Sequence, residues 1–497
     1  MDLIFTLLVI LPLAAAGLWF RRALRRGPGL KLPPGPTPLP ILGNILSLGR
    51  KPHQSLARLA RVHGPIMLLK LGTRTAAVIS SPEAARAVLQ KQDLAFCNRS
   101  VPDTSRVLDH HRYSVVWLPV GDQWRMIRRI CKDKMFSAQC LDAGRSLRME
   151  KLKNLVGHVD ECCASGRAVD VGKAAFTTSL NLMWTSLFSA DAAELGSSSS
   201  SEFRDLVSAM MELGGKPNLS DYFPILRGFD PQGIFRSSEA YVAKCFALFD
   251  EIIDRRVKMK SGGDDRTVWN DMLETLLEFN REDPSRFTLH HVKNLLLNLF
   301  VAGSDTTSGT VEWAMAELIR NPDKLRKARH ELRTVLSPDQ LIQESDISQL
   351  PYLRSIVKET FRLHPTLPLL LPRKAMEDTE LNGYIIPKNA QIMVNIWAIG
   401  RDTEVWQDAD KFIPERFMEK DIDFRGQHFE LTPFGGGRRI CLGLPLAYRM
   451  VHIMLASFVK DYEWKLEEGT MKVDMEERFG LSLQKAISLT IVPNKLV

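Results

Sequence analysis

Apolar residues run without a charge from Leu3 to Phe20. As a helix this tract is about 27 Å long at about 1.5 Å per residue, just enough to span a bilayer core. Arg21, Arg22, Arg25, Arg26 and Lys31 follow it, whereas no basic residue precedes it. That asymmetry predicts a transmembrane anchor over residues 3–20, with the downstream chain in the cytosol. A cleaved signal peptide is the competing reading, since Ala14-Ala15-Ala16-Gly17 offers small residues for cleavage. Residues 21–40 then hold the basic stretch and Leu32-Pro33-Pro34-Gly35-Pro36-Thr37-Pro38. Fixed φ values and missing N–H donors there predict a stiff, extended connector that sets the distance between membrane and catalytic body.

In residues 41–497 the patterning is mostly helical. Alternation around Gly72-Thr73-Arg74 predicts a β-hairpin between Ile66 and Ser80, and Tyr384 to Asn395 reads as a second strand-rich patch. An apolar run from Thr288 to Asn321, ended by Pro322, predicts a long helix through the centre. Gly196 to Ser201 and Ser261 to Thr267 read as surface loops. With no internal repeat and no second compositional block, the expectation is one mainly α domain with minor β-sheets.

Composition narrows the classes. A chain of 497 residues with 45% hydrophobic and 25% charged residues can bury a large core. The formal charge of +8 would suit a nucleic-acid binder, but no basic run is interleaved with aromatics outside the N-terminal arginines. No nucleic-acid partner is therefore expected, and the excess reads as membrane and partner electrostatics. Cys97, Cys131, Cys140, Cys162, Cys163, Cys245 and Cys441 form no C-x-x-C pair, and their odd number argues against a disulfide framework.

The sharpest chemical signal is Phe434-Gly435-Gly436-Gly437-Arg438-Arg439-Ile440-Cys441-Leu442-Gly443. The four glycines permit positive φ and close approach of a flat ligand, and Pro445 sits where a helix can start. Backbone amides and a positive helix end favour a thiolate at Cys441, as an axial haem ligand requires. A structural cysteine beside a glycine loop is the bland reading. Five positions of fixed residue type (Phe, Gly, Arg, Cys and Gly) at fixed offsets arise by chance in roughly 10⁻⁴ of chains at about 5% usage per type, which removes it.

A second signal, Ala302-Gly303-Ser304-Asp305-Thr306-Thr307, lies inside the long helix. A mid-helix glycine costs about 1 kcal/mol, so Gly303 implies that something bulky passes close by. Thr306 can turn its hydroxyl onto a carbonyl one turn back or toward a facing ligand, and Asp305 offers a carboxylate for proton relay. Read alone, this is a kinked helix with a paired acid. A third signal is Glu359-Thr360-Phe361-Arg362, acid and base on one helix face, followed by Pro414-Glu415-Arg416-Phe417.

The cysteine segment resembles the haem-binding loop of cytochrome P450 enzymes, and the other signals follow in that family's order across nearly the whole chain. The resemblance implies the cytochrome P450 fold with one N-terminal transmembrane helix, and haem b ligated by Cys441. It implies haem contacts from Trp124, Arg128, Ala302, Arg373, Phe434, Arg439 and Gly443. Asp305 and Thr306 become the catalytic pair for oxygen activation, and Glu359, Arg362 and Arg416 a buried structural network. Asn298, Val301, Thr366, Leu367, Leu370 and Phe479 fall around the substrate pocket. Electrons would come from NADPH through cytochrome P450 reductase; read from charge alone, Arg125, Arg129, Lys132 and Lys134 form either a basic docking face for it or a solvated helix face.

Asp109-His110-His111, Asp221-Tyr222-Phe223-Pro224 and Phe229-Asp230-Pro231-Gln232-Gly233 resemble the plant branch of the family that contains geraniol 8-hydroxylase and ferruginol synthase. A small apolar terpenoid substrate at the endoplasmic reticulum membrane is the expectation from that likeness. His364-Pro365 is followed by Thr366 where relatives commonly carry a second proline, which puts exact substrate transfer in doubt. Two rivals stand beside this reading: a haem-thiolate isomerase or dehydratase that uses no O₂, and a membrane-tethered haem sensor without turnover.

Overall fold

The computed structural model describes residues 31–496 apart from 194, 196, 262–270 and 339. The anchor expected over residues 3–20 lies outside them. Among the described residues no helix is long and apolar enough to cross a membrane.

The long helix runs from Leu289 to Arg320. It starts at a capping box in which Thr288 N–H donates to His291 Nδ1 at 3.0 Å. It ends where Pro322 opens the next helix, Pro322–Val335. Two cores share this helix. Val292 to Phe300 pack with Phe176, Trp184 and Phe249, whereas Val311 to Leu318 pack with Leu353, Ile356 and Leu455. Residues between them belong to neither buried cluster, and there the helix wall meets a cavity. Val171–Phe188, buried on nearly every side, crosses the helix at this point. A Cβ at Gly303 would come within 2.8 Å of Met183 Cγ and Sδ. The bulky neighbour inferred from Gly303 is thus a methionine of the crossing helix.

The hairpin forms as Ile66–Leu71 and Arg74–Ile79, in register Leu71↔Arg74. A parallel strand, Gln391–Val394, then Arg373–Lys374 and Asn98–Arg99 complete a five-stranded sheet. The register pairs Arg99 with Arg373, which sets two guanidiniums at one sheet end. The proline connector is extended from residue 31, but it does not stand clear of the body. Leu68 N–H donates to Pro34 O at 2.8 Å, and a Cβ at Gly35 would lie 2.0 Å from Leu68 O. The loop expected over Gly196 to Ser201 gives way at Ser198 to a helix, Ser198–Gly215. Serines satisfy the free N–H groups of a first turn, which offsets their weak propensity further in. Ser261 ends the helix Ile234–Ser261, and the rest of the second expected loop lies outside the described residues.

Helix Pro351–Leu363 carries an ion pair of a different kind from a surface pair. Arg362 donates from Nε and Nη2 to the two Glu359 oxygens at 2.7 Å each, with both side chains 0% exposed. Its remaining donors reach the carbonyls of Gly400, Ala409 and Lys411 at 2.5, 2.6 and 2.9 Å. Glu359 also accepts from Ile413 N–H at 2.7 Å and Arg416 Nε at 3.2 Å. Arg362→Met would leave a buried carboxylate short of its main partner and three carbonyls without a donor. We expect it to lower stability by about 3–5 kcal/mol, read from the urea midpoint; a midpoint equal to wild type would show the network to be dispensable.

Candidate active site

The cysteine loop leads into the helix Leu444–Lys460, with Pro445 in its first turn. Gly435 and Gly437 have φ of 70° and 64°. At Gly437 a Cβ would also lie 2.1 Å from Leu89 O and 2.8 Å from Asp93 Oδ1. Gly436 and Gly443 have φ of −161° and −79°, so positive φ is required at only two of the four glycines. Cys441 N–H donates to Phe434 O at 3.1 Å. Burial pushes the Cys441 thiol up, against the opposing pull of the Gly443 amide, Arg128 and the Leu444 amide. The Gly443 and Leu444 amides and Arg128 are the groups that favour a thiolate there.

Cys441 lines a cavity of about 430 Å³. The long helix contributes Asn298, Val301, Ala302, Gly303, Thr306, Thr307 and Thr310; Thr366, Leu367 and Leu370 close the opposite wall. Phe434 and Gly443 flank the cysteine, and the Phe434 ring lies 5.3 Å from Phe361. Arg99, Arg128, Arg373 and Arg439 all reach this cavity. Burial lowers each of them, Arg439 to about 10, and the proximity of other arginines lowers Arg99 and Arg439 further. Trp124 does not line the cavity. It lies under Arg439 and Arg128, whose guanidinium carbons sit 4.7 and 5.1 Å from its ring centre. Asp93 takes Arg373 Nη1 at 2.9 Å and Arg438 Nη1 at 2.7 Å, tying the sheet to the cysteine loop.

Two further predicted residues, Asp305 and Phe479, sit differently from expectation. Asp305 faces away from the cavity, toward Gln484 and Ser482: Oδ1 accepts from Gln484, and Oδ2 is buried. Burial raises its pKa. Thr306 does line the cavity, with its hydroxyl donating to Ala302 O at 2.8 Å. Phe479 stacks on His53 at 5.3 Å and borders a separate, smaller cavity; the turn after it brings Leu481 into the main one instead. That turn is held tightly, since Leu481 N–H donates to Met211 O at 2.6 Å and a Cβ at Gly215 would lie 2.0 Å from Gly480 C. Thr366 Oγ1 lies 3.2 Å from Thr310 Oγ1, whose own proton goes to Thr306 O at 2.9 Å. Arg99, Asp93, His110 and Leu481 escaped the sequence reading. Only His110 stood in a stretch that had been singled out.

The sequence profile described as Cytochrome P450 matches residues 33–491, and the chain belongs to that family. Over 100% of its length it is 49% identical to Cytochrome P450 76T24 of Catharanthus roseus, covering 99% of that protein. It is 47% identical to Geraniol 8-hydroxylase of Catharanthus roseus, over 100% of this chain and 99% of the other. It is 44% identical to Ferruginol synthase of Isodon rubescens, over 95% and 96%. The protein is accordingly an oxygen-inserting oxidoreductase with a haem cofactor and, as is general for the family, electrons from NADPH through a reductase.

The residues present suit that group. Cys441 lines a chamber with four guanidiniums on its wall, and Asp93, paired with only one of the four, leaves an excess of positive charge for two propionates. His110 and His452 add a pH dependence of folding, because burial lowers each to about 4. As pH falls below about 6.5 the unfolded chain takes up protons before the folded one, so stability from these groups is complete above 6.5 and lost toward 4. The urea midpoint should therefore drop over that window, and less steeply in His452→Gln; equal slopes in both proteins would refute the assignment.

Proposed function

We propose that this chain is a membrane-anchored monooxygenase that inserts one oxygen atom from O₂ into a small or medium apolar terpenoid. The observation that carries the substrate class is the cavity wall over Cys441, built from Val301, Leu367, Leu370, Leu481 and Met183. Relatives named for geraniol and ferruginol chemistry support it. Such a wall selects by size and shape, and one methylene changes affinity by roughly 1–3 kcal/mol, so several related substrates are expected.

In this reading Cys441 is the axial ligand, and Arg128, Arg373 and Arg439 hold the propionates, with Trp124 supporting two of them from beneath. Bound haem supplies the oxygen activation. The chain supplies position and protons. Thr306 changes rotamer from the Ala302 carbonyl to the cavity and orders the proton donor there. Asp305, kept protonated more readily by burial, resupplies the proton from the outer face of the helix. Glu359, Arg362 and Arg416 hold the cysteine loop's support and take no part in chemistry.

Residues 3–20 are the anchor, 21–40 the basic stretch and connector, and 41–497 the haem-binding domain on the cytosolic face of the endoplasmic reticulum. NADPH–cytochrome P450 reductase is the partner. Removing residues 1–26 should release much of the protein from membranes with its haem spectrum intact. A native N-terminus found after Gly17 would instead prove a cleaved leader.

Thr306→Ala should keep substrate and haem binding yet waste electrons. Loss of positioned proton transfer costs about 10²–10⁴-fold in the assisted step. Product per NADPH should fall, released hydrogen peroxide should rise, and NADPH oxidation should fall far less. Coupling equal to wild type would reduce Thr306 to a helix residue.

The function itself is tested by reconstituting the full chain with reductase and NADPH against mono- and diterpenoids, phenolics and fatty acids, with products identified by mass. Terpenoids should acquire one oxygen. Turnover confined to phenolics or fatty acids would overturn the substrate class. Cys441→Ala should make no product and lose the strongly red-shifted Soret band of the reduced, CO-bound protein.

A further inference from the structure

One group of polar side chains meets the otherwise apolar cavity far from the cysteine, where the segment around His110 packs on the long helix. Asn294 and Ser114 are both 0% exposed and lie behind the wall; His110 and Asn298 form part of it. The hydrogen bonds fix every proton. Asn294 Nδ2 donates to His290 O at 2.8 Å, so its Oδ1 is the acceptor 2.5 Å from His110 Nδ1. Nδ1 therefore carries the imidazole proton, and Nε2 presents a lone pair. Asn298 is fixed in the same way: Nδ2 donates to Asn294 O at 2.8 Å, and Oδ1 accepts from Ser114 Oγ at 2.6 Å. Its second amide proton points toward His110 Nε2 across 3.4 Å, a long and weak contact.

We propose that His110 and Asn298 form a polar subsite that takes the hydroxyl group of an otherwise apolar alcohol. A hydroxyl oxygen placed between them accepts from Asn298 Nδ2 and donates to His110 Nε2, replacing one poor hydrogen bond by two good ones. A ketone meets only Asn298, because it has no proton for Nε2. A hydrocarbon meets neither, and it leaves both groups shut away from water. The inference rests on the proposed reading of this cavity as the substrate chamber. It adds that the molecule arrives already bearing a hydroxyl, so an earlier oxidation or hydrolysis must supply it.

The test uses two matched series on the purified haem-loaded full chain: menthol, menthone and menthane, then cyclododecanol, cyclododecanone and cyclododecane. Dissociation constants come from displacement of an apolar fluorescent probe, so no turnover is needed. Comparing variants within a series cancels the differing cost of taking each molecule out of water. In His110→Phe the alcohol should lose about 5–10-fold in affinity relative to its hydrocarbon, and the ketone little. In Asn298→Val alcohol and ketone should both lose. Should His110→Phe fail to fold, Asn298→Val and His110→Gln are read alone, the glutamine keeping part of the alcohol preference through its carbonyl. Unchanged alcohol-to-hydrocarbon ratios in the folded variants would overturn the subsite even if every terpenoid binds. Failure of the menthol series with the expected shifts in the cyclododecane series would support the subsite and sink the terpenoid reading.

Discussion

A carboxylate with no access to water must have every lone pair answered, and the way Glu359 meets that demand organises the proximal side of this protein. Its partners come from one turn of its own helix and from the chain between Gly400 and Arg416. Arg362, its main partner, commits its remaining donors to that same stretch. The pair is therefore less a source of stability than a fixed joint. Phe361, between them in sequence, carries the position of the joint to Phe434 and so to the cysteine loop.

Where the sheet end meets the cysteine loop, the constraint is charge of the opposite sign. The sheet register puts Arg99 beside Arg373, and the cysteine loop adds Arg439. Such a cluster raises the free energy of the protein alone and lowers it when a dianion fills the chamber. Assembly of the holoprotein and folding of this region are coupled through that difference.

Much of this was legible in the sequence because short-range rules governed it. The hairpin at Gly72-Thr73, the bounds of the long helix at Thr288 and Pro322, and the cysteine loop all depend on neighbours within a few residues. The cavity lining at Asn298, Val301, Thr366 and Leu370 followed from family likeness rather than from periodicity. What stayed hidden depends on contacts between distant segments. Arg99 reads as an unremarkable base until strand pairing sets it against Arg373. Asp93 looks like a surface acid until two arginines close on it. Gly303 was read as making room for haem and O₂; it does line the cavity, but the sequence carries no sign that Met183 packs against it. The exchange of Phe479 for Leu481 is a matter of where one turn falls, and alternation does not locate turns to a single residue.

Two glycines far apart in the chain, Gly215 and Gly480, meet backbone to backbone beside the smaller cavity. Neither can acquire a side chain unless the helix end and the turn separate. Leu481, next to the contact, is under no such restriction: its backbone is pinned while its side chain projects into the chamber. Leu481 is thus a side chain on a fixed mount: replacing it would reshape the chamber without moving the turn that holds it.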